Sequence, residues 1–116
     1  MPQQADGSTL LVLTTLPDRE AAAAMVRTLV ERRLAACGTL LDGVTSVYRW
    51  EGVTEEAREV QVLLKTSTGC WNALRDAVDE LHPYDVPELL ALPVTAGLPA
   101  YLAWVGRETM PEGASG

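Results

Sequence analysis

The chain has 116 residues, a formal net charge of −7 and 47 % apolar residues. That length reads as a single domain, 1–116 with an ordered part of about 9–108, and the charge argues against nucleic-acid phosphate or an anionic membrane as partner. The only two cysteines, Cys37 and Cys70, are far apart and in no metal-ligand spacing, so they read as reduced thiols and not as a disulfide framework.

Taken in chain order, "STLLVLTTLP" is a near-continuous apolar run and predicts a strand covered on both faces, hence central in a sheet. "DREAAAAMVRTLVERRLAACG" predicts a helix. Ala22, Met25, Val26, Leu29, Val30 and Leu34 recur at steps of three and four, Asp18 favours the first turn, and Gly38 marks the exit. In "TLLDGVTSVYRWEG", Asp42-Gly43 predicts a kink or bulge. Past it, Val44, Ser46, Tyr48 and Trp50 face one way and Thr45, Val47 and Arg49 the other. "REVQVLLKTS" pairs with this strand through a connection "EGVTEEA", with Val60, Val62 and Leu64 on one face.

"TGCWNALRDAVDEL" predicts a second helix with Trp71, Leu74, Val78 and Leu81 as its apolar stripe and Thr68 or Ser67 as its cap. Pro83 ends it near His82. "ELLALPV" is a strand that Pro93 confines to an edge or its end. "GLPAYLAWVGRE" predicts a terminal helix with Pro99 in its first turn and Tyr101, Trp104 and Val105 inward. Met1–Ser8 and Glu112–Gly116 read as frayed tails.

The order is β-α-β-β-α-β plus a helix: an α+β, ferredoxin-like sandwich with the first and third strands central. The hairpin strands, about 39–50 and 57–67, are roughly twice the usual 5–6 residues. Such a ribbon overhangs its sheet, and pairing with another subunit is the expected solution to its open edge.

No GxSxG, Gly-rich phosphate loop, HExxH or CxxC is present, and no catalytic residues are expected. The absence of a basic segment followed by an apolar run points to the cytoplasm. Glu51, Glu55, Glu56 and Glu59 form an acidic group that suits a hard cation or a solvated hairpin tip. Lys65 has two readings, an anion contact or a pairing with Glu51 or Glu59. His82, the only histidine, also has two. It is a helix end favoured by the dipole, or a ligand for copper or another divalent cation, its ring projecting from the helix terminus toward solvent or a neighbouring chain.

"VYRWEG" (47–52), "VLLKT" (62–66), "HPYDVPELLALPV" (82–94) and "YLAWV" (101–105) resemble the CutA family of divalent-cation tolerance proteins. "LTTLPDREAA" and "ERRLAACGTLL" match its first strand–helix unit. The resemblance covers about residues 9–108. It implies a ferredoxin-like fold, a cytosolic homotrimer whose hairpins pair between subunits as in PII-type signalling proteins, and a role in tolerance of copper and other divalent cations. Members credited with copper binding carry a cysteine at the end of the first strand and a double histidine before "PY". Here those positions are Thr14 and Leu81-His82, so only His82 matches. The alternative is a small-molecule sensor module of PII-like architecture, its ligand held between subunits near Trp50, Lys65, Tyr84 and Glu88.

Overall fold

The computed structural model describes residues 8–110. The expected frayed tails fall outside them, except Ser8, whose carbonyl accepts a hydrogen bond from the Thr68 amide. The elements are β1 (Thr9–Leu16), α1 (Arg19–Glu31), β2 (Cys37–Trp50), β3 (Val53–Ser67), a 3₁₀ turn (Thr68–Cys70), α2 (Trp71–Leu81), β4 (Leu90–Pro93) and α3 (Pro99–Glu108). The sheet runs β2-β3-β1-β4, all antiparallel. The first and third strands are central, and β4 ends on Pro93 at an edge, where its missing amide costs no ladder bond.

α1 starts where the sequence places it, with the Asp18 carboxylate accepting from the Ala21 amide at 2.8 Å. It ends sooner than expected. Arg33 takes a left-handed conformation (φ 63), the Arg33 amide bonds the Val30 carbonyl, and the Leu34 amide bonds that of Leu29. This is a Schellman end built without glycine. The guanidinium of Arg33 compensates by reaching the Arg107 and Glu108 carbonyls at the C-terminus of α3, where positive charge suits the dipole.

The core lies between one sheet face and the helices α1 and α2. Leu10, Val12 and Leu16 from β1, Val60, Val62 and Leu64 from β3, and Met25, Leu29, Leu74 and Val78 from the helices form it. Val30 is exposed and is not part of it. Neither Ser67 nor Thr68 caps α2 with its side chain; the Ser67 hydroxyl turns to the Cys70 sulfur instead. In α3 the buried residues are Leu102 and Val105, while Tyr101 is exposed and its hydroxyl meets Cys37 Sγ at 3.4 Å. That contact pushes the tyrosine up to about 12, with burial adding to it.

Thr14 sits in this core, fully buried, and its hydroxyl has no hydrogen-bond partner among the described residues. A buried orphan hydroxyl costs about 1–3 kcal/mol. Thr14→Val keeps the shape and removes the orphan, so it is expected to raise stability by about 1–2 kcal/mol. Urea unfolding checks this; a less stable variant would contradict it.

The other sheet face is only partly covered. α3 lies over one end, where Thr109 Oγ1 bonds Ser67 Oγ at 2.9 Å and Tyr101 meets Cys37. The rest is apolar and open. The cross-strand pairs Leu13–Leu63 and Leu13–Leu90 put three leucines side by side, with Leu41 and Leu92 beside them, and Leu41, Leu90 and Leu92 are exposed.

Candidate functional site: an acidic, aromatic cleft

The hairpin is longer than expected, and its loop is shorter. "EGVTEEA" is not a connection. The turn is only Glu51-Gly52, with φ values of 50 and 82, and Trp50 pairs directly with Val53. Two consecutive positive φ angles make the type I′ turn that matches strand twist. Val53 and Thr54 are β-branched and continue β3 outward.

The bulge predicted at Asp42-Gly43 decides which side chains share a face. Leu41 pairs with Gln61 but Val44 pairs with Glu59, so β2 carries one extra residue, and Gly43 takes φ 71. Before the bulge, odd residues of β2 lie beside odd residues of β3. After it, Val44, Ser46, Tyr48 and Trp50 lie beside Glu59, Ala57, Glu55 and Val53. The bulge thus puts two aromatic rings on the face of two carboxylates. It sends Arg49 and Arg58 to the opposite face.

The second wall comes from the segment after α2. α2 ends at His82, whose ψ of 137 is extended, as Pro83 requires. The expectation of an available ring is not met. His82 is 7 % exposed, with Nε2 at 2.8 Å from the Thr15 carbonyl oxygen and Nδ1 accepting from the Tyr84 amide at 3.1 Å. A carbonyl only accepts and an amide only donates, so the ring is neutral with its proton on Nε2. Burial lowers the imidazole pKa, opposed by the Thr15 bond and by the Glu59 charge. A metal at either nitrogen would displace one of these bonds.

His82 therefore fastens the next residues to β1. Tyr84 packs its ring on the imidazole, 4.9 Å between centroids, and donates its hydroxyl to Glu59 Oε2 at 2.6 Å. Burial and the Glu59 carboxylate drive the phenol pKa far upward. Glu59 is itself only 9 % exposed, not the solvated hairpin residue expected. Tyr84 is thus tied at its backbone, its ring and its hydroxyl, and it fixes the 83–88 segment beside the overhanging hairpin.

Between these walls lies a cleft of about 910 Å³. Its lining includes Tyr48, Trp50 and Tyr84, and four carboxylates: Glu55, Glu59, Asp85 and Glu88. Among the described residues, no lysine or arginine lines it. The arrangement brings together Trp50, Tyr84 and Glu88 from the sequence-predicted set and leaves out Lys65. The Lys65 ammonium bonds Thr39 Oγ1 at 2.9 Å, on neither Glu51 nor Glu59. Six residues along β3 separate it from Glu59, roughly 20 Å. The acidic group also divides. Glu55 and Glu59 face the cleft, Glu56 faces away, and Glu51 is in the turn. Asp85 is an addition to the predicted set; only its place after Tyr84, in a loop the sequence could not position, brings it here.

Among the described residues, no three His, Cys, Asp or Glu side chains converge closely enough to hold a metal ion. No helix among them is long and apolar enough to cross a membrane.

The family described as CutA1 divalent ion tolerance protein matches residues 10–108. The divalent-cation tolerance protein CutA of Thermus thermophilus is 44 % identical over 99 residues, 85 % of this chain and 96 % of that protein. A structure of the divalent cation tolerance protein from Thermus thermophilus superimposes with a TM-score of 0.86 at 43 % identity, over 88 % of this chain and 99 % of the other. A structure from Archaeoglobus fulgidus, described as a periplasmic divalent cation tolerance protein CutA, gives 0.83 at 31 % identity, over 86 % and 97 %.

Proposed function

Because the chain belongs to the CutA1 divalent ion tolerance protein family, we propose that it serves tolerance of divalent cations as a cytoplasmic homotrimer, with the acidic cleft as the place where cations are drawn. One observation carries this reading: among the described residues, the cleft is lined by four carboxylates and no cationic side chain. Low-dielectric walls lined by one sign of charge concentrate the opposite ion.

The same charge argues against anionic small molecules as ligands of a PII-like sensor module. That reading set Lys65 beside Trp50, Tyr84 and Glu88, whereas within one chain Lys65 lies at the far end of the sheet. Carboxylate and phenol oxygens suit hard divalent ions, and among first-row metals Cu²⁺ has the highest affinity for a given donor set. Copper is therefore included. Its attachment to His82 is not part of the reading, since both ring nitrogens are engaged.

The homotrimer is supported by the open leucine face and by the overhanging hairpin, an apolar surface and a strand edge that a second copy would cover.

Calorimetric titration tests the cation reading. Both Cu²⁺ and Mn²⁺ are expected to bind, and Glu59→Gln is expected to weaken both about tenfold or more, since a charge-assisted contact is worth roughly 1.5–3 kcal/mol. A response to Cu²⁺ alone that survives Glu59→Gln would contradict it.

A further inference from the structure

Asp42-Gly43 is one of two Asp-Gly steps in the sequence, and the other, Asp6-Gly7, lies outside the described residues. An aspartate followed by glycine can react with its own chain. The glycine nitrogen attacks the side-chain carboxyl carbon and a C–N bond forms. Water leaves, made from the carboxyl OH and the amide hydrogen. A second water then reopens the five-membered succinimide. Cleavage at the former side-chain carbonyl restores aspartate. Cleavage at the other carbonyl gives isoaspartate, whose main chain runs through the side-chain methylene.

The fold leaves this reaction open at Asp42. Gly43 has no Cβ beside the attacking nitrogen, and its φ of 71 is one that glycine takes freely. A Cβ there would meet only the Arg58 guanidinium, at 3.3 Å, among the described residues. Neither residue of the step is in the ladder register, which passes from Leu41–Gln61 to Val44–Glu59. The Asp42 carboxylate is tied to Arg19 at 3.0 Å, but these side chains are 57 % and 65 % exposed, and such pairs restrain little. Asp42 shares the face of Leu40, which packs on the core, so it points toward α1 and away from the leucine face that a second copy would cover. Ring closure is internal and needs no partner but water.

We propose that the Asp42-Gly43 bulge is a site of spontaneous isoaspartate formation, and that the change disables the cleft. Isoaspartate adds one methylene to the main chain at the step that sets the parity of the ribbon. Tyr48 and Trp50 share a face with Glu55 and Glu59 because the bulge inserts one residue and no more. The loss of cation binding on ageing rests on the cation reading of the cleft; the chemistry at Asp42 does not.

The test holds the whole protein at 37 °C and pH 7 for several weeks, with a urea-unfolded sample in parallel. Isoaspartate is scored in the separated peptide that carries Asp42, by labelled methyl transfer from an isoaspartyl carboxyl methyltransferase. That peptide from the folded protein is expected to accept label in growing amount. Asp42→Glu keeps a carboxylate for Arg19 but would need a six-membered ring, and is expected to accept none there. Calorimetry with Mn²⁺ should show wild type losing sites in proportion to its isoaspartate, while Asp42→Glu keeps them. The indole N–H resonance of Trp50 reads the cleft independently, and is expected to move on ageing in wild type and stay fixed in Asp42→Glu. Label at Asp42 only in the unfolded chain, or isoaspartate that leaves the Trp50 resonance in place, overturns the proposal. Fresh protein that binds no Mn²⁺ would remove the cation reading alone.

Discussion

His82→Ala is expected to lower the stability of the fold by about 2–4 kcal/mol, from two orphaned partners and a small cavity. The Thr15 carbonyl loses its donor and the Tyr84 amide loses its acceptor. Tyr84 also loses the ring it packs on, so the 83–88 wall of the cleft should loosen with it. A helix-end histidine acting only through the dipole would cost much less, about 0.3–1 kcal/mol. The effect should depend on pH. Burial holds the folded imidazole below its ordinary value, while the unfolded ring titrates near 6.5. Below about 6.5 the unfolded chain binds the extra proton, so the contribution of His82 is complete above that pH. It is lost as the pH falls through the lowered folded value. Among the groups facing the ring, Glu59 favours the protonated form and moderates the loss, while the Tyr84 amide cannot donate to a protonated Nδ1. Urea unfolding of both proteins at pH 7.5 and pH 5 measures this. Equal stability at pH 7.5, or a gap that does not narrow at pH 5, would refute it.

Leu63→Glu is expected to convert the proposed homotrimer to a monomer. Leu63 lies in the central strand β3 opposite Leu13, on the face that carries Leu41, Leu90 and Leu92 and that α3 covers only at one end. In an isolated chain the new carboxylate would still reach water at that half-buried position. In the trimer it would be buried in each copy, and the penalty for an unpaired buried ion is several kcal/mol apiece. Association should therefore fall by orders of magnitude while the fold persists. Leu90→Glu, at a position 55 % exposed in the single chain, repeats the test where the fold is less at risk. Sedimentation equilibrium at micromolar concentration, with circular dichroism to follow the fold, reads both variants. Trimers in both, or a wild-type monomer, would contradict the assembly.

Much of the fold is legible because it rests on local signals. The apolar run "LLVLTTL" marks β1 as central, Pro83 marks the end of α2, and Asp42-Gly43 marks the bulge. Where local signals compete, the sequence misleads. The acidic run after Trp50 outweighs the β-branched Val53-Thr54, so a two-residue turn reads as a long connection. With no glycine at Arg33, nothing announces the left-handed end of α1. The site is half legible for a different reason. Trp50, Tyr84 and Glu88 follow from residue type and the analogy with PII-like architecture, but Glu59 meets Tyr84 only through the fold, 25 residues apart. The burial of His82 likewise depends on the Thr15 carbonyl, 67 residues away, and Pro83 speaks only for the backbone.

The most direct measurement of the central claim is an anomalous difference map from crystals grown with Mn²⁺ and, separately, Cu²⁺. The account predicts a peak in the cleft beside Glu59 for both ions, with the Tyr84 amide and the Thr15 carbonyl still bonded to His82. A peak on the His82 ring with none beside Glu59 would contradict it.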